Sequence, residues 1–152
     1  MTGIRIRPIA PEDAETVAAL CGELGYPLET QTIERRLQLL QSWPDHTVLV
    51  ACTEPDGRVA GWIDVGLVFH LPSEPYGEIG GLVIAEDLRS QGIGKALLAA
   101  AEAWIKQRGI QRALVRSRIT RERTHQFYLR EGYTQTKTSA VFVKPLSPDQ
   151  HS

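Results

Sequence analysis

The sequence predicts one mixed α/β domain, a mostly antiparallel sheet of six or seven strands flanked by about four helices. Three observations predict it. Strand-like segments follow one another between residues 47 and 84, which suggests an antiparallel meander. Apolar residues recur at helical spacing in four other segments, most clearly after Gly92. No internal repeat, low-complexity tract or linker divides the 152 residues, which suffice for one domain with a real core.

The elements follow in order. Ile4, Ile6 and Ile9 with Arg5 and Arg7 between them read as a short half-exposed strand. Pro11 suits the first turn of a helix that continues through Ala14, Val17, Ala18, Cys21 and Leu24 to Gly25. A Gly25-Tyr26-Pro27 turn leads to a second helix over Thr30 to Ser42, with Ile33, Leu37 and Leu40 on one face and Pro44 as its stop. Thr47 to Thr53 reads as a strand. Pro55-Asp56-Gly57 turns the chain, since proline presets one angle and glycine accepts positive φ. Strands over Arg58 to Phe69 and Tyr76 to Ile84 complete the meander. Ile93, Ala96, Leu97, Ala100, Ala101, Trp104 and Ile105 then define an amphipathic helix closed by Gly109. A strand over Gln111 to Arg118, a helix over Thr120 to Arg130 with Gly132 after it, and a strand region over Tyr133 to Lys144 finish the chain.

Composition narrows the function. With 42% hydrophobic and 23% charged residues the chain is typical of soluble globular proteins, and no apolar run approaches the ~20 residues of a membrane span. Residues 1 to 8 lack the apolar core of a signal peptide, so the expectation is a cytoplasmic, unanchored protein with no membrane partner. Cys21 and Cys52 form no metal spacing, no neighbouring histidine marks a nucleophile, and both read as small buried hydrophobes. The net charge of −1 hides an asymmetry: residues 1–88 carry 5 basic against 14 acidic side chains, and residues 89–152 carry 12 against 4. Such a chain can hold a polyanion on one side and a cation on the other, or simply present two differently decorated faces.

A motif locates the anion. Leu82-Val83-Ile84 ends a strand, a polar loop follows, and Arg89-Ser90-Gln91-Gly92-Ile93-Gly94-Lys95 opens a helix. Unpaired amides and the macrodipole at a helix start attract anions, and glycines remove the Cβ atoms that would keep a phosphate away. The P-loop pattern fails because Arg89 stands at its first glycine and Ala96 at its magnesium-binding hydroxyl. The dinucleotide fingerprint fails at Leu97, where a third small residue is required. An R-x-x-G-x-G pattern fits at every position. With it, the sequence resembles the GNAT superfamily of acetyl-CoA-dependent N-acetyltransferases. The resemblance extends over most of the chain, and Phe127-Tyr128-Leu129-Arg130-Glu131-Gly132-Tyr133 is similar to a second segment of that family.

The resemblance implies acetyl-CoA as cofactor. Backbone groups of Leu82, Val83 and Ile84 would pair with the pantetheine arm as an added strand does, with the Leu82 amide a donor to the developing oxyanion. Arg89 and Ser90, and the backbone of Gln91, Gly92, Ile93, Gly94 and Lys95, would hold the pyrophosphate. Arg121 stands where many members have a cofactor-contacting asparagine. Glu78, eleven residues before Arg89, matches the register of a general base in some members. Apolar surroundings would raise its pKa, and it acts directly, through water, or as an anchor for the acceptor. Tyr128 matches the general acid that protonates the departing thiolate, with Phe127 the better packing residue and His125 a surface histidine.

Tyr26, Trp62, Asp64 and Tyr76 belong to segments that flank the acceptor cleft in related folds, and would suit a cationic amine of a small molecule or peptide. Trp62 and Tyr76 serve equally well as core residues. The resemblance is compatible with a homodimer. Two rivals remain: an acyl-CoA-binding module without catalysis, against which Glu78 and Tyr128 both speak, and a nucleic-acid-binding domain. The second is disfavoured because the arginines lack interleaved aromatics and the overall charge is near zero.

Overall fold

Gly3–Pro8 (β1) lies at one edge of a five-stranded sheet in which chain order and spatial order coincide. The computed structural model describes residues 3–147 apart from 24, 26 and 117–121, and the side chains of residues 122 and 123 also lie outside the description. The chain divides into two compact units, Met1–Arg116 and Ser117–Ser152.

In the first unit, a 3₁₀ turn at Pro11–Asp13 leads into α1 (Ala14–Glu23), and α2 (Thr30–Gln41) follows. The meander is β2 (His46–Glu54), β3 (Val59–Val68) and β4 (Tyr76–Ile84), all antiparallel neighbours. A 3₁₀ turn at Glu86–Leu88 precedes α3 (Ile93–Gln107), and β5 (Ala113–Val115) returns parallel to β4. α3 ends as its sequence requires. Gly109 takes a left-handed φ of 78°, its amide donates to Lys106 and the Ile110 amide reaches back to Ile105, which satisfies the last carbonyls.

The sheet has two working faces. Ile63, Val65 and Ile79 are fully buried on the side against which α3 presents Leu97, Leu98, Ala101 and Ile105. Ile105 packs so closely on Gly77 that a Cβ there would overlap it. The opposite face is covered in part by α1 and α2. Leu20, Val50, Cys52, Val59 and Val83 form one buried cluster there, and Ala14, Val17, Ala18, Cys21 and Ile33 a second. Trp62 packs, partly buried, against both clusters with its ring over Gly81. Both cysteines are buried and free. Arg7 is anchored on the buried Asp13 by two hydrogen bonds of 2.7 and 2.9 Å, which fixes β1 to the start of α1.

The second unit contains α4 (Glu122–Arg130). Gly132 at φ 94° ends it, with its own amide on Leu129 and the Tyr133 amide on Tyr128, the closure that glycine at this position predicts.

Two expectations are corrected. The strand predicted over Gln111 to Arg118 is Ala113–Val115 only, and the part of it from 117 onward lies outside the described residues. The strand region predicted over Tyr133 to Lys144 has no ladder: residues 133–145 carry no strand, so the sheet has five strands among the described residues and not six or seven. Thr134, Thr136 and Thr138 carry β propensity but no apolar face to bury. The apolar Val141-Phe142-Val143 run is consecutive and remains exposed, so burial fixes no register there.

Candidate active site

The glycine loop takes a shape that few sequences allow. Arg89 is extended, Ser90 turns to a left-handed φ of 67°, and Gly92 caps α3 at φ 81°. Two left-handed residues within three positions turn the backbone sharply just ahead of the helix start. No side chain caps α3 and its first turn holds no acidic residue. The amides of Ile93, Gly94 and Lys95 therefore have no partner within the helix. Nothing lies within 4 Å of the position a Cβ would take on Gly92, so the approach is open. Arg89, Ser90, Gln91 and Lys95 are exposed around it. The side chain of Ile93 is buried in the core, which leaves only its backbone for a ligand.

Two contacts that short-range sequence patterns do not reveal steady the loop. Arg58 grips Asp87 through both oxygens at 2.8 and 2.9 Å, and Glu23 at the end of α1 accepts the Glu86 amide at 3.0 Å. The carboxylate holds the Arg58 guanidinium above its usual pKa, and the guanidinium holds Asp87 below the usual carboxylate range.

β4 supplies a free edge beside this loop. The Ala85 amide donates to the Ala60 carbonyl at 2.7 Å, which makes that pair hydrogen-bonded; alternation along the antiparallel register then makes Val83 with Trp62 the next such pair. Leu82 and Ile84 therefore turn their N–H and C=O groups away from β3. On that other side β5 pairs only with Gly77–Ile79, so no strand faces Gly80–Ile84 among the described residues. Val83 differs from its neighbours, since its backbone is used on Trp62 and its side chain is buried. A β-bulge at the Asp64/Val65 step of the β3–β4 register, with Gly80 as the extra residue, separates the paired and unpaired stretches of β4.

Just before that bulge β4 carries Glu78, on the face away from α3. The apolar enclosure expected around it is absent: Glu78 accepts a hydrogen bond from Arg116 Nε at 2.8 Å, and both side chains reach solvent. Glu78 first and the Tyr76 hydroxyl second hold the Arg116 guanidinium above its usual pKa. Tyr76 itself is buried. Nearby on the same face, His46 Nε2 meets Asp64 Oδ1 at 2.9 Å, and the Asp64 carboxylate raises the His46 pKa against the opposing effect of burial. Gly80 accommodates this pair, since a Cβ there would lie 2.8 Å from Asp64 Oδ1.

In the second unit Tyr128 is the more buried aromatic, 7% exposed, and Phe127 is half-buried. Tyr128 stacks edge-on with Phe127 and Tyr133 at 5.2 and 5.7 Å between ring centres. Burial pushes its phenol pKa up, so it keeps its proton at neutral pH. His125 is half-buried, not a surface histidine. Tyr26 and Arg121 lie outside the described residues.

A comparison with protein families matches residues 15–133 to the Acetyltransferase (GNAT) family. The chain belongs to the GNAT family. Among its relatives, the aminoalkylphosphonate N-acetyltransferase of Salmonella typhimurium is 35% identical over 133 residues, covering 86% of this chain and 85% of the relative. The aminoglycoside N(6')-acetyltransferase type 1 of Stenotrophomonas maltophilia is 30% identical over 148 residues, covering 94% of each. Among solved structures, aminoglycoside N-acetyltransferase AAC(6')-Iy in complex with CoA superposes with a TM-score of 0.82 at 16% identity, over 95% of this chain and 96% of that one. The fold is thus the GNAT fold, and this GNAT protein is an N-acetyltransferase whose cofactor is acetyl-CoA. Among the described residues no helix is long and apolar enough to cross a membrane.

Proposed function

We propose that this GNAT acetyltransferase moves the acetyl group of acetyl-CoA to the primary amine of a small molecule, by direct attack while both are bound. One observation carries the reading: a single strand, β4, offers outward-facing backbone at Leu82 and Ile84 and, four residues before Leu82, a solvent-reaching carboxylate at Glu78. The relatives support the acceptor class, since the two cited by name act on aminoalkylphosphonates and aminoglycosides. The reading takes residues 1–152 as one catalytic domain, which the family match over residues 15–133 supports because it runs across both units. It takes the cytoplasm as the compartment, in keeping with two free buried thiols.

Acetyl-CoA supplies the activated acetyl group as a thioester. The first-turn amides of α3 from Ile93 to Lys95, with Arg89 and Lys95 nearby, would hold its pyrophosphate, and Leu82 and Ile84 its pantetheine arm. Glu78 takes the proton that the amine must lose to attack, directly or through one water. Tyr128 gives its proton to the sulfur as the C–S bond breaks and the C–N bond forms. A phenol held protonated by burial is suited to that role. The Leu82 amide donates to the carbonyl oxygen as it gains charge.

Intact-mass analysis of the protein with acetyl-CoA and no amine tests the direct-attack step. The protein should remain unmodified, and Glu78→Gln should lower kcat/KM by about 100-fold. An acetylated protein that forms and decays at the turnover rate would overturn it.

A further inference from the structure

The face that carries Glu78 is not simply acidic. Register places His46, Gly66, Glu78 and Leu114 in one row across β2, β3, β4 and β5, and Arg116 lies two residues beyond Leu114 on the same face. Gly66 has no side chain and the His46 ring lies over it, so the row runs between two ion pairs, His46 with Asp64 and Glu78 with Arg116. Two carboxylates therefore face one guanidinium and one imidazole. A polycation meets little net attraction on such a surface. An ammonium beside Glu78 and an anion beside Arg116 each find a partner.

Arg116 is built for the second task. Its side chain is 50% exposed against 29% for Glu78. It uses Nε on Glu78 and lies within hydrogen-bonding reach of Tyr76, so N–H groups of its fork remain for a planar or tetrahedral anion. Because Nε lies 2.8 Å from the Glu78 carboxylate, an acceptor bridging the two needs only a short spacer between amine and anion. We infer that the acceptor is a small zwitterion, a primary amine with a phosphonate, phosphate or carboxylate a few bonds away, and that Arg116 holds that anionic group. The inference rests on the acetyl-transfer reading above and names the substrate class of that site.

The test is an acceptor panel with the full-length protein, reading free thiol released from acetyl-CoA. 2-Aminoethylphosphonate and β-alanine supply the two anion chemistries, propylamine has no anion, and kanamycin is a polycation. Wild type should prefer at least one anion-bearing acceptor over propylamine by about 30-fold or more in kcat/KM, the effect of a charge-assisted hydrogen-bonded pair. Arg116→Ala should shrink that preference by about 10-fold or more, chiefly through KM, and Arg116→Lys should restore part of it. A general loss of folding would lower every acceptor alike and leave the preference intact, and that result overturns the role of Arg116. Equal or faster turnover of propylamine or kanamycin overturns the zwitterion while leaving acetyl transfer standing. No thiol release with any amine overturns both.

Discussion

Replacing Gly92 with aspartate changes the cradle in two separable ways. The residue caps α3 at φ 81°, where an L side chain costs about 1–2 kcal/mol, so folding stability should fall by that amount and Tm by about 3–6 °C. The side chain itself meets no obstacle, since nothing lies within 4 Å of its Cβ position. Its carboxylate would turn to the first-turn amides and occupy the donors proposed for the pyrophosphate, adding like charge as well. At about 4 Å and an effective dielectric near 20 two unit charges repel by about 4 kcal/mol; exposure to solvent halves this, leaving about 2–3 kcal/mol, or roughly a 100-fold loss of coenzyme A affinity. Gly92→Ala carries the same backbone strain without the charge and serves as the control. Isothermal titration with coenzyme A, beside thermal unfolding of each variant, separates the two effects. Equal affinities for the alanine and aspartate variants would refute the assignment of the pyrophosphate to this loop.

Three further outcomes follow from the geometry. Gly77→Ala drives a methyl into the Ile105 side chain and should lower stability by about 1–3 kcal/mol, read as a drop in Tm; an unchanged Tm would mean that α3 packs less tightly on β4 than described. Tyr128→Phe should lower kcat by about 100-fold with coenzyme A affinity nearly intact, and burial of the wild-type phenol should keep kcat free of loss from this group up to about pH 10. An unchanged kcat with chemistry rate-limiting removes Tyr128 as the acid. The folded-state pKa of His46 is raised, so the stabilisation from its pair with Asp64 is fully present below its ordinary value of 6.5 and is lost as pH rises through the folded value. The pair is one-third exposed and is worth less than about 1 kcal/mol, so the Tm gap between wild type and Asp64→Asn should be small, largest at about pH 6 and narrowing as pH rises above that. A gap that widens with pH would contradict the pairing.

The elements that local chemistry defines were legible in the sequence. β4 was expected over Tyr76 to Ile84 and runs over those residues, and α3 begins at Ile93, because apolar periodicity and glycine punctuation are short-range signals. Gly109 and Gly132 close their helices as expected. The glycine loop at Ser90 to Gly92 was readable as a motif, although the positive φ of Ser90 was not. What escaped is long-range. Arg116 lies 38 residues from Glu78 and Arg58 lies 29 from Asp87, and nothing in either neighbourhood signals the partner. The Gly80 bulge, and with it the outward turn of Leu82 and Ile84, depends on register against β3. The final strand was misread because alternating threonines mimic a strand without offering a buried face.

Amine-dependent thiol release, followed together with the mass of the amine, tests the central claim most directly. Each thiol freed from acetyl-CoA should match one N-acetylated amine, with release in the absence of amine negligible and release by Glu78→Gln strongly reduced. Thiol release that ignores the amine, or that leaves no acetylated amine behind, would contradict the account.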